Sequence, residues 1–369
     1  MDTGQVESIR QSPVVAELDD GRVRVTVAYR DPEASEVWVI GGLAGADPGD
    51  RRMHPVGDGW WERAYELPRD VRTLYWFTRK RMPEKTEDFF HDELNPRTFK
   101  YVGDPENPED EDLVASVLEL PDARPLEWSV QRDSVPRGTV AEHRLASERL
   151  GNERRVFTYT PATYDPARTY PLVICFDGRA YVNDAYVPLP TVLDNLIADG
   201  RLPPVVAVLP DSLDKETRMR ELLGDEQFVE FLVDELLPWA HERVSFVDDP
   251  ARTLVSGSSA GGFTAAFAAL HRPDRFGLVL SQSGSFPRGT LPHEYALRDR
   301  LPLRFYLDAG VLETLPWDRF GQLVHANRHM RDVLLAKGYD VTYREFAGGH
   351  DYLWWRETIA DGLIALLGR

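Results

Sequence analysis

Hydrophobic residues follow one pattern in the first third of the chain and a different pattern in the rest. Up to about residue 103, short runs rich in Val, Ile, Trp and Tyr alternate with polar positions and are separated by Gly, Pro and Asp. These runs cover residues 22–29, 36–40, 60–67 and 73–77. Alternation with a period of two is typical of half-buried β-strands, and the intervening residues are typical of turns. This first pattern predicts a small all-β domain, an immunoglobulin-like sandwich.

The second pattern alternates strands with helices. Residues 172–176 and 205–209 are continuous apolar runs, as expected for strands buried on both faces, and residues 228–244 have the apolar spacing of a helix. The same patterns predict strands at 154–160, 253–256, 277–280, 303–307 and 340–346, and helices at 260–270, 319–336 and 354–367. Such alternation predicts an α/β fold with a mostly parallel sheet and helices on both faces.

Two breaks separate these patterns. Residues 103–113 are acidic and contain two prolines, which is typical of a solvated linker, and a second break follows at residues 132–138. We therefore expect a β-rich domain with its linker at residues 1–125 and an α/β domain at residues 126–369.

Composition excludes several classes of function. The 369 residues carry a net charge of −18, which disfavours nucleic acid and anionic membranes as general partners. The one cysteine, Cys175, lies in an apolar run and is expected to be a buried, inert thiol. The sequence shows no apolar leader and no run of 18 apolar residues, so we expect a cytoplasmic protein without a membrane span.

The strongest chemical motif is Gly257-Ser258-Ser259-Ala260-Gly261, between a predicted strand and an Ala-rich predicted helix. A G-x-S-x-G turn exposes a strained serine, and the flanking glycines avoid clashes with the strand and the helix. This context predicts an α/β-hydrolase-type domain with Ser259 as nucleophile. The N–H of Ala260, at the start of the helix, would then bind an oxyanion.

The partners of Ser259 should follow it in the order acid, then histidine. His350 is the histidine that lies in a glycine-containing loop between a late strand and the final helix. The acid is expected after the strand at residues 303–307, where Glu313 is preferred over Asp308, and Asp318 is a further candidate. The second oxyanion donor is expected from Gly178 or Arg179, after the strand at residues 172–176. His325 and His329 share a helix face, but no third ligand is evident, so no metal site is predicted.

Several segments resemble the enterochelin (enterobactin) esterase family. These are the stretch GSSAGGFTAAFAALHRPDRFGLVLSQSGSF from Gly257, FDGRAY from Phe176, RMREL from Arg218, GVLE with Asn327, GGHD with Trp355, and DELNPRTF and SERLGNERRVFTYTP upstream. The resemblance implies hydrolysis of ferric enterobactin-type siderophores, cyclic tri-esters of catechol-acylated serine. It also implies the triad Ser259, Glu313 and His350.

The resemblance implies a site that receives an anionic substrate, with no cofactor and with iron present only as part of that substrate. Arg179, Arg218 and Trp355 are the expected substrate contacts, and the run Arg79-Lys80-Arg81 is either a further attraction for an anion or an exposed charge run. The β-rich domain would bind or cover the substrate. The chain departs from the family after Ser285, where Phe286-Pro287-Arg288-Gly289 stands in place of paired tryptophans.

Three alternatives remain open at this point. The same catalytic groups would serve a feruloyl-type or other aryl-ester hydrolase, or an acyltransferase that excludes water. A protein that binds ferric siderophore without catalysis would have a different function on the same scaffold.

Overall fold

The computed structural model describes residues 11–287, 289–315 and 322–368. Packing divides the chain into two units. The N-terminal unit contains the chain up to Arg124 together with Ala347–Asp351, and the C-terminal unit contains Pro125–Phe346 and Tyr352–Arg369. The segment Ala347–Asp351 was expected in the second domain from its sequence position, but its contacts group it with the first unit.

The N-terminal unit contains two four-stranded antiparallel sheets, with strand orders β1-β2-β5-β4 and β3-β6-β8-β7. The strands are β1 Val14–Glu17, β2 Val23–Arg30, β3 Trp38–Gly41, β4 His54–Gly57, β5 Trp60–Leu67, β6 Arg72–Thr78, β7 Thr98–Tyr101 and β8 Leu113–Glu119. The alternating Val23, Val25 and Val27 are fully buried. The rings of Tyr29 and Phe77 lie 5.0 Å apart and join the two sheets. The β-rich prediction is therefore confirmed, although β1, β4, β7 and β8 were not predicted individually.

The C-terminal unit is built on an eight-stranded sheet with the order β16-β15-β14-β13-β11-β12-β10-β9. The strands are β9 Thr139–Ser147, β10 Asn152–Thr160, β11 Leu172–Cys175, β12 Val206–Pro210, β13 Thr253–Ser258, β14 Leu278–Gln282, β15 Arg304–Gly310 and β16 Asp340–Phe346. Strands β11 to β16 run parallel, while β9 and β10 form an antiparallel pair at one side. This confirms the predicted mostly parallel sheet.

Helices connect the parallel strands. They are α1 Gly178–Tyr181, α2 Leu189–Ala198, α3 Lys215–Glu221, α4 Glu226–Phe231, α5 Leu237–His241, α6 Ala260–His271, α7 Leu291–Leu297, α8 Leu323–Ala336 and α9 Tyr352–Leu367. The single helix predicted at residues 228–244 is instead α4 and α5, joined by one π-helical segment, Leu232–Leu236. Pro238 has no N–H to donate to the preceding turn, which accounts for the change in hydrogen-bond pattern.

The carboxyl ends of the parallel strands lie at one edge of the sheet, where ligand sites of such folds are found. Cys175 ends β11 and is fully buried, and burial raises the pKa of its thiol well above the ordinary value. Within the parts of the chain that the structure describes, no helix is both long and apolar enough to cross a membrane.

Candidate active site

Ser259 lies in the turn between β13 and α6. Its backbone has φ 58° and ψ −118°, a conformation that is strained for a residue with a side chain. Its N–H donates to the carbonyl of Gln282 at 2.9 Å, and its own carbonyl accepts from the N–H of Ser285 at 2.9 Å. The Ser259 side chain is half-buried, with its Oγ 3.3 Å from the Oγ of Ser285. The turn therefore presents a partly accessible hydroxyl at the carboxyl end of the sheet, as the sequence predicts.

Two glycines of this turn, Gly257 of the motif and Gly262 directly after it, are required by close packing, whereas a Cβ on Gly261 would make only contacts of 3.5 Å or more. A Cβ on Gly257 would lie 2.7 to 3.0 Å from backbone atoms of Gly261, and a Cβ on Gly262 would lie 2.6 Å from the Ser281 hydroxyl oxygen. Real side chains do not fit at such distances, so β13 and α6 can approach only with glycine here. Ala260 is the first residue of α6, which places its N–H at the positive end of the helix.

The loop after β11 carries the other candidate oxyanion donors, Gly178 and Arg179. A Cβ on Gly178 would lie 2.4 Å from the carbonyl oxygen of Leu209, so only glycine fits. The N–H of Arg179 donates to the Asp211 carboxylate at 3.0 Å. Burial raises the pKa of Asp211 to about 6. An oxyanion at the Arg179 N–H would have to replace this carboxylate.

Glu313 is the candidate acid whose environment suits an ionised partner. It is 4 % exposed, and its Oε1 accepts hydrogen bonds from the N–H of Gly310 at 2.9 Å and the hydroxyl of Ser283 at 2.5 Å. Asp308 is fully buried, and burial raises the pKa of its carboxyl well above the ordinary value. A raised pKa disfavours the ionised form that stabilises an imidazolium, so Glu313 is preferred over Asp308 as the acid. Asp318 lies outside the described residues.

A serine that the sequence analysis did not select connects several of these groups. Ser283 has φ 49°, donates from its hydroxyl to Glu313 and accepts from the indole N–H of Trp355 at 3.0 Å. Residues 282–285 thus contact both the Ser259 backbone and the Glu313 carboxylate. The detectable signal for Ser283 was its place directly after β14, at the carboxyl edge of the sheet.

Trp355 was expected to contact substrate, and its placement argues against that role. The side chain is 5 % exposed and its N–H is donated to Ser283. A buried ring with a satisfied N–H supports its neighbours rather than presenting a face to a ligand. Asn327, which was grouped with the resembling GVLE segment, is fully buried and donates to the carbonyl of Gly284 at 2.9 Å.

His350 is half-buried within Ala347–Asp351. A Cβ on Gly349 would lie 2.4 Å from the Cα of Gly42, so this position requires glycine. The Asp351 carboxylate accepts from the Thr73 hydroxyl at 3.0 Å and from the Leu74 N–H at 3.1 Å. Both neighbours of His350 are therefore fixed within the N-terminal unit. The Asp351 carboxylate is thus occupied by contacts within the N-terminal unit.

The cationic candidates are engaged in ion pairs. Arg218 binds the Asp177 carboxylate through two hydrogen bonds of 2.7 Å, which argues against a free substrate contact. Within the basic run, Arg79 pairs with Asp31 at 2.6 and 3.0 Å, and Lys80 pairs with Asp88 at 2.7 Å. Arg79 and Lys80 thus have carboxylate partners within the N-terminal unit. Arg179 is half-buried within the loop that follows β11.

Metal ligation has no support among the residues that the structure covers. No group of three or more His, Cys, Asp or Glu side chains is arranged to hold an ion there, and this includes His325 and His329 on α8. Phe286, where the resembling family would have tryptophan, is 3 % exposed and packs 6.3 Å from the ring of Phe263. Arg288 lies outside the described residues.

Comparison with known proteins decides the family. A family model described as "Putative esterase" matches residues 147–366. The iron(III) enterobactin esterase of Dickeya dadantii is 33 % identical over 96 % of this chain and 90 % of its own length. The chain belongs to the enterobactin esterase family. It is a carboxylic ester hydrolase.

Solved structures of this family extend the likeness to both units. The ferric enterobactin esterase of Salmonella typhimurium is 29 % identical, with a TM-score of 0.76 and coverage of 96 % of each chain. An enterobactin esterase of Shigella flexneri, determined in the presence of enterobactin, has a TM-score of 0.73 and covers 97 % of this chain and 96 % of its own. The match to this esterase family therefore includes the β-rich unit as well as the α/β unit.

Proposed function

We propose that this esterase hydrolyses the ester bonds of a ferric catecholate siderophore of the enterobactin type. One observation carries the proposal: relatives that match nearly the whole chain at 31–33 % identity are named iron(III) enterobactin esterases. The likeness includes the N-terminal unit, which a general esterase of this catalytic type would not need. Such a substrate is a tri-ester, and its cleavage weakens the chelation of iron because the three catechols are no longer held together.

The catalytic groups in this proposal are Ser259, His350 and Glu313. Ser259 Oγ attacks an ester carbonyl while His350 accepts its proton, and Glu313 orients the imidazole and stabilises its charged form. The negative oxygen of the tetrahedral intermediate is bound by the Ala260 N–H together with a backbone N–H of Gly178 or Arg179. The imidazolium then protonates the alkoxide oxygen of the substrate's serine as its ester C–O bond breaks. Water attacks the acyl-enzyme with His350 again acting as base, which releases the carboxylic acid and returns the proton to Ser259 Oγ.

The buried hydrogen bonds of Glu313 support its part in this mechanism. The Gly310 N–H and the Ser283 hydroxyl both donate to Oε1 and hold the buried carboxylate in one orientation. An ionised, oriented carboxylate is what the His350 imidazolium requires. The strained Ser259 turn supports the nucleophile role in the same way, because strain of this kind is retained where it exposes a reacting atom.

A substrate panel tests the proposal. The protein is incubated with ferric enterobactin, iron-free enterobactin, ethyl ferulate and p-nitrophenyl acetate, and products are identified by mass. We expect ferric enterobactin to gain one water per cleaved bond and to yield acylated serine fragments, with a kcat/KM well above that for ethyl ferulate. Turnover of ethyl ferulate with ferric enterobactin unchanged would instead support the feruloyl-type alternative. Tight binding of ferric enterobactin without products would identify a binding protein.

A further inference from the structure

We propose that Arg218 and Asp177 form a clamp that positions the backbone of the oxyanion loop, so that Arg218 is a positioning residue and not a substrate contact. The proposal rests on the proposed function, since it assigns a role within ester hydrolysis at Ser259. It is argued from contacts inside the C-terminal unit.

Asp177 is the residue at which the chain turns from β11 into the following loop. It has φ 58° and ψ 51°, the left-handed region that few residues other than glycine adopt. Its carbonyl accepts from the N–H groups of Ala180 at 2.9 Å and Tyr181 at 3.2 Å. The next two residues are Gly178 and Arg179, which carry the candidate oxyanion donors. The conformation of Asp177 therefore sets the direction of those two N–H groups.

The Asp177 side chain is fixed on both oxygens. Oδ1 accepts from Arg218 Nε at 2.7 Å and from the Ser212 hydroxyl at 2.9 Å, while Oδ2 accepts from Arg218 Nη2 at 2.7 Å. A bidentate guanidinium–carboxylate pair fixes orientation as well as distance. Two-point attachment of the side chain thus restrains the backbone of a residue in an uncommon conformation.

The helix that carries Arg218 is itself anchored. Asp214 caps the start of α3 by accepting from the Thr217 N–H at 2.8 Å. At the other end, Glu221 forms two hydrogen bonds of 2.8 Å with Arg154, and the two side chains are only 2 % and 1 % exposed. Both ends of α3 are therefore held in place, so the Arg218 guanidinium has a fixed position from which it can restrain the loop.

The clamp also has an electrostatic consequence. Asp177 Oδ2 lies 3.6 Å from the position of a Cβ on Gly261, in the first turn of α6. An unpaired carboxylate at that point would oppose negative charge at the nearby Ala260 N–H. Arg218 neutralises it. The pair therefore lets a carboxylate fix the loop without repelling the oxyanion.

The experiment compares Arg218→Gln, Arg218→Lys, Asp177→Asn and the double variant Asp177→Asn/Arg218→Gln in the full chain. Two substrates are used, ferric enterobactin, which is anionic, and p-nitrophenyl acetate, which is neutral. Because Asn adopts the left-handed region readily, Asp177→Asn removes the charge with little new backbone strain. The control variant is Arg328→Gln. It makes the same substitution in another bidentate pair, between Arg328 and Glu345, whose hydrogen bonds are 2.7 and 2.8 Å long.

For Arg218→Gln we expect kcat to fall about 10- to 100-fold on both substrates, as for a small misplacement of catalytic groups, with KM changed less than about threefold. The affinity for a boronic acid, which forms a tetrahedral adduct on the serine, should fall by a similar factor. Arg218→Lys should retain more activity. The double variant should be no worse than Arg218→Gln, because the carboxylate that would be left unpaired is gone. Arg328→Gln should match the parent.

A loss confined to ferric enterobactin and expressed in KM would overturn the clamp and identify Arg218 as a substrate contact. Parent-like kcat in both Arg218→Lys and Asp177→Asn would overturn it as well. Failure of the proposed function looks different: the parent protein would then leave ferric enterobactin intact, whatever happens at Arg218.

Discussion

The nucleophile turn and the acid region are held in place by different means. Ser259 is positioned by the backbone, through glycines whose neighbours leave no room for a Cβ and through hydrogen bonds of its own N–H and carbonyl. Glu313 is positioned by side chains, through the Ser283 hydroxyl and its partner Trp355, with one backbone N–H from Gly310. A geometry set by glycine spacing is visible in a short motif, whereas one set by side-chain contacts appears only in the folded chain. We therefore expect substitution of Ser259 to abolish nearly all activity, and substitutions around Glu313 to lower kcat by smaller amounts that depend on the contact removed.

The largest effect is expected at Ser259. Ser259→Ala should reduce kcat for p-nitrophenyl acetate and for ferric enterobactin by about 10⁴-fold or more, because no other group supplies the attacking oxygen. Thermal unfolding should be close to that of the parent. Ser285→Ala, which removes the hydroxyl 3.3 Å from Ser259 Oγ, is the matched control and should remain within about tenfold of the parent. Equal losses in the two variants would remove Ser259 from its special role.

A smaller effect is expected at the acid. Glu313→Gln should lower kcat by about 10²- to 10⁴-fold, since it preserves shape but removes the charge that stabilises the imidazolium. Asp308→Asn should have a much smaller effect on kcat, because burial raises the pKa of that carboxyl and the proposed triad charge lies on Glu313. Steady-state kinetics on p-nitrophenyl acetate measures both. A larger loss of kcat in Asp308→Asn than in Glu313→Gln would instead identify Asp308 as the triad acid.

The smallest loss of kcat is expected at Ser283 and Trp355, which hold Glu313 in place without taking part in the chemistry. Ser283→Ala removes the hydroxyl that donates to Glu313 Oε1 and leaves the hydrogen bond from the Gly310 N–H. It should lower kcat by about tenfold with an unchanged KM. Trp355→Phe retains an aromatic ring but loses the N–H donated to Ser283, and its loss should be milder still. If Trp355 contacted substrate, the change would instead appear in KM for ferric enterobactin and spare p-nitrophenyl acetate.

The sequence predicted the parts of this molecule that depend on local pattern. The buried runs became β11 and β12 within about one residue, and the G-x-S-x-G motif lies between β13 and α6 as expected. The short helices α1 and α3 were missed, because four and seven residues are too few for helical periodicity to show.

The rest depends on tertiary contacts. Asp308 lies within β15 and Glu313 lies three residues beyond its end, and both side chains are buried. The hydrogen bonds to Glu313 and the raised pKa of the Asp308 carboxyl distinguish the two candidates, and neither is visible in the sequence. Arg218 was expected at the substrate because its charge suits an anion, but its partner Asp177 is 41 positions away in the chain. The grouping of Ala347–Asp351 with the N-terminal unit depends on Thr73 and Leu74, far away in sequence, and has no local signal.

Covalent labelling of Ser259 tests the central claim most directly. The parent protein is treated with a fluorophosphonate, digested and mapped by mass spectrometry, with Ser259→Ala and Ser285→Ala treated in parallel. A single adduct on the peptide that carries Ser259, formed in the parent and in Ser285→Ala but lost in Ser259→Ala, is the predicted result. An adduct at another residue, or an active parent protein that the reagent neither labels nor inhibits, would contradict the account.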